Sequence, residues 1–192
     1  MSTRAYAVTL AVALLPRLAA AQQPAPTTPT STVQQTASTA PVAQAFRGNT
    51  QRAATNLIAA AEEMPAEKYS FKPTPAQMSF GDVVAHVTEG NDYFCSTIAG
   101  TKAPTRTKVS GTDPKATLIA RLRETFQYCD QVLANVDDSK LGEELPFFGG
   151  RTRSRAAIMM GKVGDWGDHY SQAAIYLRLN GLVPPTAKKD AH

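Results

Sequence analysis

The chain has 192 residues, 43% of them hydrophobic, with a formal charge of +4 and a pI near 9.1. That length supports one well-buried domain and excludes two comfortable ones. The charge is too small to mark a nucleic-acid surface, which needs cations gathered on one face among aromatic rings; only "RTRSR", Arg151 to Arg155, is dense enough to notice, and it reads as a solvated loop before a helix.

In chain order, residues 1–21 carry Arg4, an apolar run from Ala5 to Leu15, and small residues Ala19 and Ala21 at A-x-A spacing. This is the pattern of a signal peptide cut before Gln22, and it implies a secreted or periplasmic protein. Arg17 near the cleavage site is untypical and leaves an uncleaved anchor as the competing reading, but the apolar run is too short to span a bilayer. No stable membrane span is expected after cleavage. Loss of Arg4 and Arg17 with the leader lowers the charge to +2. Residues 22–40, rich in Pro, Thr and Gln and without charge, read as a disordered linker.

The bundle proper is expected over residues 41–185. Phe46, Ala53, Leu57, Ala60 and Met64 recur at helical steps, and Pro65 stops that first helix. Ser79 with Asp82 resembles a capping box opening a second helix, whose core side is Val83, Val87, Phe94 and Ile98 and whose stop is Gly100. Asp113 as cap and Pro114 as first helical residue open a third, with its stripe at Leu118, Leu122, Phe126, Cys129, Leu133 and Val136. The segment Asp137 to Arg155 reads as a loop whose Phe147 and Phe148 cover one end of the core; an exposed aromatic pair there would suit a homodimer contact. A last helix occupies about Ser154 to Asn180, ended by Gly181, Pro184 and Pro185, and residues 186–192 form a polar tail. Four helices and no convincing strand make an all-α four-helix bundle the economical architecture.

The two cysteines bear on topology. Cys95 lies about sixteen residues into the second helix and Cys129 about fifteen into the third, so they share a height only if those helices run parallel. In an antiparallel hairpin they would be offset by about 15 Å, beyond the reach of a disulfide. A Cys95–Cys129 bond, a parallel pair and a long crossover therefore stand or fall together, and free buried thiols are the alternative.

Of three histidines, His192 ends the tail, His86 lies on the second helix and His169 on the fourth. Asp165 and His169 are four apart and project from one helix face, a spacing that suits two ligands of one divalent ion. With His86 they would make a three-donor site with an open position, for Zn, Ni, Fe or Mn. Glu89, one turn after His86, is the candidate general base; Asp82 could orient the imidazole, and Gln172 and Tyr176 could polarise a bound small molecule. The plainer alternative is an Asp165 facing water and a His169 satisfied in the core.

Two stretches, "EEMPAEKYSFKPTPAQMSFGDVVAHV" and "DHYSQAAIYLRLNGLVPP", resemble the DinB-like (DinB/YfiT) superfamily of bacterial four-helix bundles, over about Ala43 to Pro185. The resemblance implies helices 2 and 3 parallel across a long crossover, and a divalent metal held by three histidines, one on helix 2 and two on helix 4. Carried over by position, the first is His86, the last is His169, and the middle one falls on Asp165. The family chemistry itself is not carried over; the expectation is an exported metal-binding protein that, if active, is a metal-assisted hydrolase or transferase of a small molecule, the alternative being a non-catalytic bundle with an eroded site acting as a binding or envelope-associated module.

Overall fold

The helices form where apolar periodicity and capping chemistry agree, and a computed structural model describes them over residues 39–188. The signal-peptide reading and nearly all of the linker lie outside the described residues, as does His192. Helix α1 spans Pro41–Glu63, α2 Phe80–Ala99, α3 Lys115–Leu133 and α4 Arg155–Leu179.

Each helix end is satisfied differently. Ala40 offers α1 no side-chain cap, and the first amides donate instead to a distant carboxylate: Val42 N and Ala43 N reach Asp138 at 3.0 and 2.8 Å. At its other end Lys115 Nζ donates to the carbonyls of Glu62 and Met64, both at 2.7 Å. The capping box of α2 is formed: Asp82 N donates to Ser79 Oγ at 3.1 Å, and Ser79 N to the Asp82 carboxylate at 3.0 Å. Gly100 closes α2 at φ 70°, the left-handed conformation that favours glycine. Ser154 caps α4 through Ala157 N.

Two expectations are corrected. Asp113 does not cap α3; its carboxylate accepts from Ser110 N at 2.8 Å, and Pro114 is itself the residue before the helix. The preceding turn satisfies Asp113 locally and so removes it from the helix end. Residues 144–154 are also no loop: β1, Glu144–Phe147, pairs antiparallel with β2, Arg151–Ser154, in the register Glu144 to Ser154 and Phe147 to Arg151. Gly149 and Gly150, at φ 66° and 71°, make the turn. Only Leu145 of this hairpin is fully buried, so its alternation is too polar to read as a strand.

Helix α2 packs beside α3 and α4, and α1 beside the same two, which places α1 and α2 on a diagonal. Asn91 Nδ2 donates to Thr125 Oγ1 at 3.3 Å, and four residues further along both helices Cys95 and Cys129 form a disulfide with Cα atoms 5.2 Å apart. The pairs advance together along both chains, so α2 and α3 are parallel. The crossover between them is pinned by Arg106, whose Nε donates to Asp92 at 2.9 Å and whose guanidinium also pairs with Glu124. Where α2 meets the end of the crossover, a Cβ on Gly81 would lie 2.1 Å from the carbonyl oxygen of Gly111, so close approach requires glycine. Beyond α4 the chain folds back, with Thr186 bonded to Tyr170 and Lys188 paired with Glu63. Among the described residues no helix is long and apolar enough to cross a membrane.

Candidate metal centre

On α4, Asp165 and His169 sit one turn apart on the side that faces α2, and His86 comes from α2 itself. The three offer one ligand atom each, all within 4.8 Å of one another, with His86 exposed, Asp165 half-buried and His169 buried. Two donors about 2.1 Å from a common ion are at most about 4.2 Å apart, so the set closes on an ion with a small side-chain movement, and exposed His86 is free to supply it. The rings of His86 and His169 lie 5.0 Å apart at 28°, nearly parallel.

The tautomer of His169 is fixed by its neighbour. Its Nδ1 lies 2.7 Å from the Asp165 carbonyl oxygen, which can only accept, so Nδ1 carries the proton and Nε2 keeps its lone pair. A metal-ligating histidine commonly donates its other ring N–H to a carbonyl or carboxylate in this way. The donor set therefore fits a divalent cation.

Lys162 escapes the sequence reading. It is wholly buried, on the stripe Ile158, Lys162, Trp166 at four-residue steps, and its Nζ donates to Asp165 Oδ2 at 2.6 Å. The ammonium also rests on two rings, 5.0 Å from the centroid of Phe94 and 5.1 Å from that of Trp166. Burial pushes its pKa below the ordinary lysine value, and the Asp165 carboxylate opposes that shift. The available signal was a lysine in an apolar stripe three residues before an acid. Trp166 Nε1 in turn donates to Asn91 Oδ1 at 2.8 Å, tying α4 to α2 behind the site.

The other sequence candidates lie outside this three-residue donor set. Glu89 is exposed and its carboxylate lies 3.7 Å from Lys108 Nζ on the crossover. Asp82 is committed to the capping box, its pKa lowered by the hydrogen bond from the Ser79 side chain, and does not orient His86. Tyr176 is buried and donates to the Met78 carbonyl at 2.9 Å, which occupies the hydroxyl expected to polarise a substrate. Gln172 is half-buried on α4. Of the basic run, Arg151 and Arg153 are exposed, while Arg155 is buried against Glu143 at 2.7 Å and is a structural residue.

A family model of the DinB superfamily matches residues 49–173. The chain belongs to the DinB superfamily. Two solved structures are similar to it: a DinB-like protein from Bacillus subtilis, at TM-score 0.59 and 18% identity over 71% of this chain and 92% of that one; and a DinB-like protein from Bacillus cereus ATCC 10987, at TM-score 0.63 and 19% identity over 74% and 95%. At such identity they speak to the fold, a DinB-like bundle. No curated protein matches the sequence. DinB-like proteins often bind divalent metals, and the His86, Asp165 and His169 cluster is where this chain could hold one.

Proposed function

We propose that this DinB-like protein holds one divalent cation on His86, Asp165 and His169 and acts on a small molecule by hydrolysis or group transfer. The observation that carries the reading is the convergence of three donors, from two helices, within 4.8 Å. When bound, the ion supplies Lewis acidity, polarising an oxygen or activating a water. Zn, Ni, Fe and Mn all accept imidazole with carboxylate, and the donor types do not choose among them.

The chain's own residues divide the remaining work. Exposed His86 leaves one side of the set open to an arriving molecule, while buried His169 keeps the other side fixed. Glu89 is the proposed proton acceptor at that mouth: it lies one turn beyond His86, is exposed, and has only a loose 3.7 Å pairing with exposed Lys108. The leader and the disulfide support a secreted or periplasmic location, where an oxidised cysteine pair persists. A nucleic-acid role is disfavoured because Arg155 is held by Glu143, and Phe148, 47% exposed, is where a homodimer contact would fall.

The test is a competitive Zn(II) or Mn(II) titration of untagged, chelator-stripped protein. One equivalent should bind, and His86→Ala or His169→Ala should weaken binding by about ten-fold or more. No stoichiometric uptake by the wild type would end the reading. One observation favours the non-catalytic alternative: the Lys162 ammonium already neutralises Asp165, as it would in an eroded site kept as a binding or envelope-associated module. That alternative expects no uptake at all.

A further inference from the structure

Lys162 is placed with unusual structural expense. Helix α2 gives up a side chain opposite it: a Cβ on Gly90 would lie 3.2 Å from Lys162 Nζ, while glycine inside a helix is less favourable than alanine. Two ring faces, Phe94 and Trp166, complete the enclosure, and among the described residues the one hydrogen bond of the ammonium goes to Asp165 Oδ2. A buried cation is tolerated only when paired, and here its partner is a residue of the proposed metal set.

The consequence for Asp165 is geometric as well as electrostatic. With Oδ2 held at 2.6 Å by Lys162, the oxygen left to meet an ion is Oδ1, which lies 3.5 Å from His169 Nδ1. The carboxylate thus becomes a one-oxygen donor. Its negative charge is also offset next door, so an ion on these residues meets two neutral imidazoles and a neutralised carboxylate.

We infer that Lys162 is the positioning residue of the centre, confining Asp165 to a single donor oxygen and cancelling its charge, so that a bound divalent ion keeps its full Lewis acidity and an open coordination position. The inference rests on the proposed metal reading. It makes Lys162 a determinant of affinity and coordination number, acting through Asp165 and touching neither ion nor substrate.

Co(II) provides the probe, because its visible absorption weakens as coordination number rises. Chelator-stripped wild type, Lys162→Met and Lys162→Gln are each titrated with Co(II), then with azide. Lys162→Met keeps an unbranched chain and removes the ammonium. Freed of its partner, Asp165 should offer both oxygens and an uncompensated charge, so Co(II) should bind about ten-fold more tightly or better, the scale on which residues behind metal ligands act. Its visible bands should weaken, and azide should bind less well to the less positive centre. Lys162→Gln, which removes the charge but keeps a polar amide within the enclosure, should move all three readouts the same way, and it decides the matter if Lys162→Met does not fold. Identical Co(II) affinity and spectra in wild type and a folded variant would overturn the role of Lys162. Failure of the wild type itself to bind Co(II) would instead overturn the metal reading.

Discussion

Asp165→Ala should destabilise the metal-free protein far more than its half-exposed position suggests. The substitution removes the hydrogen-bond and ion-pair partner of an ammonium that is wholly buried, 2.6 Å away. Removing one partner of a buried pair typically costs about 3 to 5 kcal/mol. The Asp165 side chain is 27% exposed, so water can enter the space it leaves, and the lower end, about 3 kcal/mol, is the reasoned value. Ordinary surface substitutions fall within about 0.5 kcal/mol, so the effect is well separated from background. Urea unfolding in the presence of a chelator should show it as a midpoint lowered by about 1 to 2 M, while Asp168→Ala, on an exposed neighbour, should be close to neutral. Adding Lys162→Met to Asp165→Ala should recover most of the loss, since no charge is then left to bury. The pH dependence has a definite sign. Burial already lowers the folded-state pKa of Lys162 and loss of Asp165 lowers it further, so the unfolded state binds the extra proton across the interval up to the ordinary lysine value. Wild type makes the same gain only above its own, less depressed Lys162 pKa, so the deficit should shrink as the pH rises from the folded-state pKa of the variant to that of the wild type and stay constant above it. A single variant within about 0.5 kcal/mol of wild type, or a double variant no more stable than the single, would refute the reasoning.

Further outcomes follow from the frame around the site. The disulfide closes a separation of 34 residues, for which chain entropy gives about 3.8 kcal/mol, so Cys95→Ala with Cys129→Ala should lower urea stability by that order; equal stability of the two proteins would contradict it. Asp82→Ala should cost about 1 kcal/mol by removing the capping box. Because the hydrogen bond from Ser79 holds the Asp82 pKa below its ordinary value, this contribution is present above the usual aspartate range and lost as pH falls through the depressed value. Acid titration should make the stability curves of wild type and Asp82→Ala converge at low pH, and a constant gap would contradict the assignment.

Much of the fold was legible because its signals are local. Apolar steps of three and four, the Ser79–Asp82 box and the stop at Gly100 each act within one or two turns, and the helices lie where those signals put them. The parallel run of α2 and α3 could be read from two cysteines at equal depth, since a disulfide tolerates little offset. The hairpin at 144–154 was hidden because its strands are short and bury one residue, Leu145, leaving no alternation of hydrophobicity to detect. Asp113 misled because a side chain able to cap a helix is equally able to close the turn before it. At the site, the i and i+4 spacing of Asp165 and His169 was visible in the residues themselves, while their approach to His86, which depends on which helices become neighbours, was implied by the resemblance to the DinB-like superfamily. Lys162 was missed for a related reason: a lysine inside an apolar stripe reads as a flaw until Gly90, Phe94 and Trp166 are seen to enclose it.

The most direct measurement is anomalous diffraction from crystals of untagged protein grown with Zn(II) or Mn(II), with data collected on either side of the metal edge. One strong peak is expected about 2.0 to 2.2 Å from a ring nitrogen of His86, a ring nitrogen of His169 and one carboxylate oxygen of Asp165, with Lys162 still on the other oxygen. A peak elsewhere on the protein, or no peak between α2 and α4 at saturating metal, would contradict it.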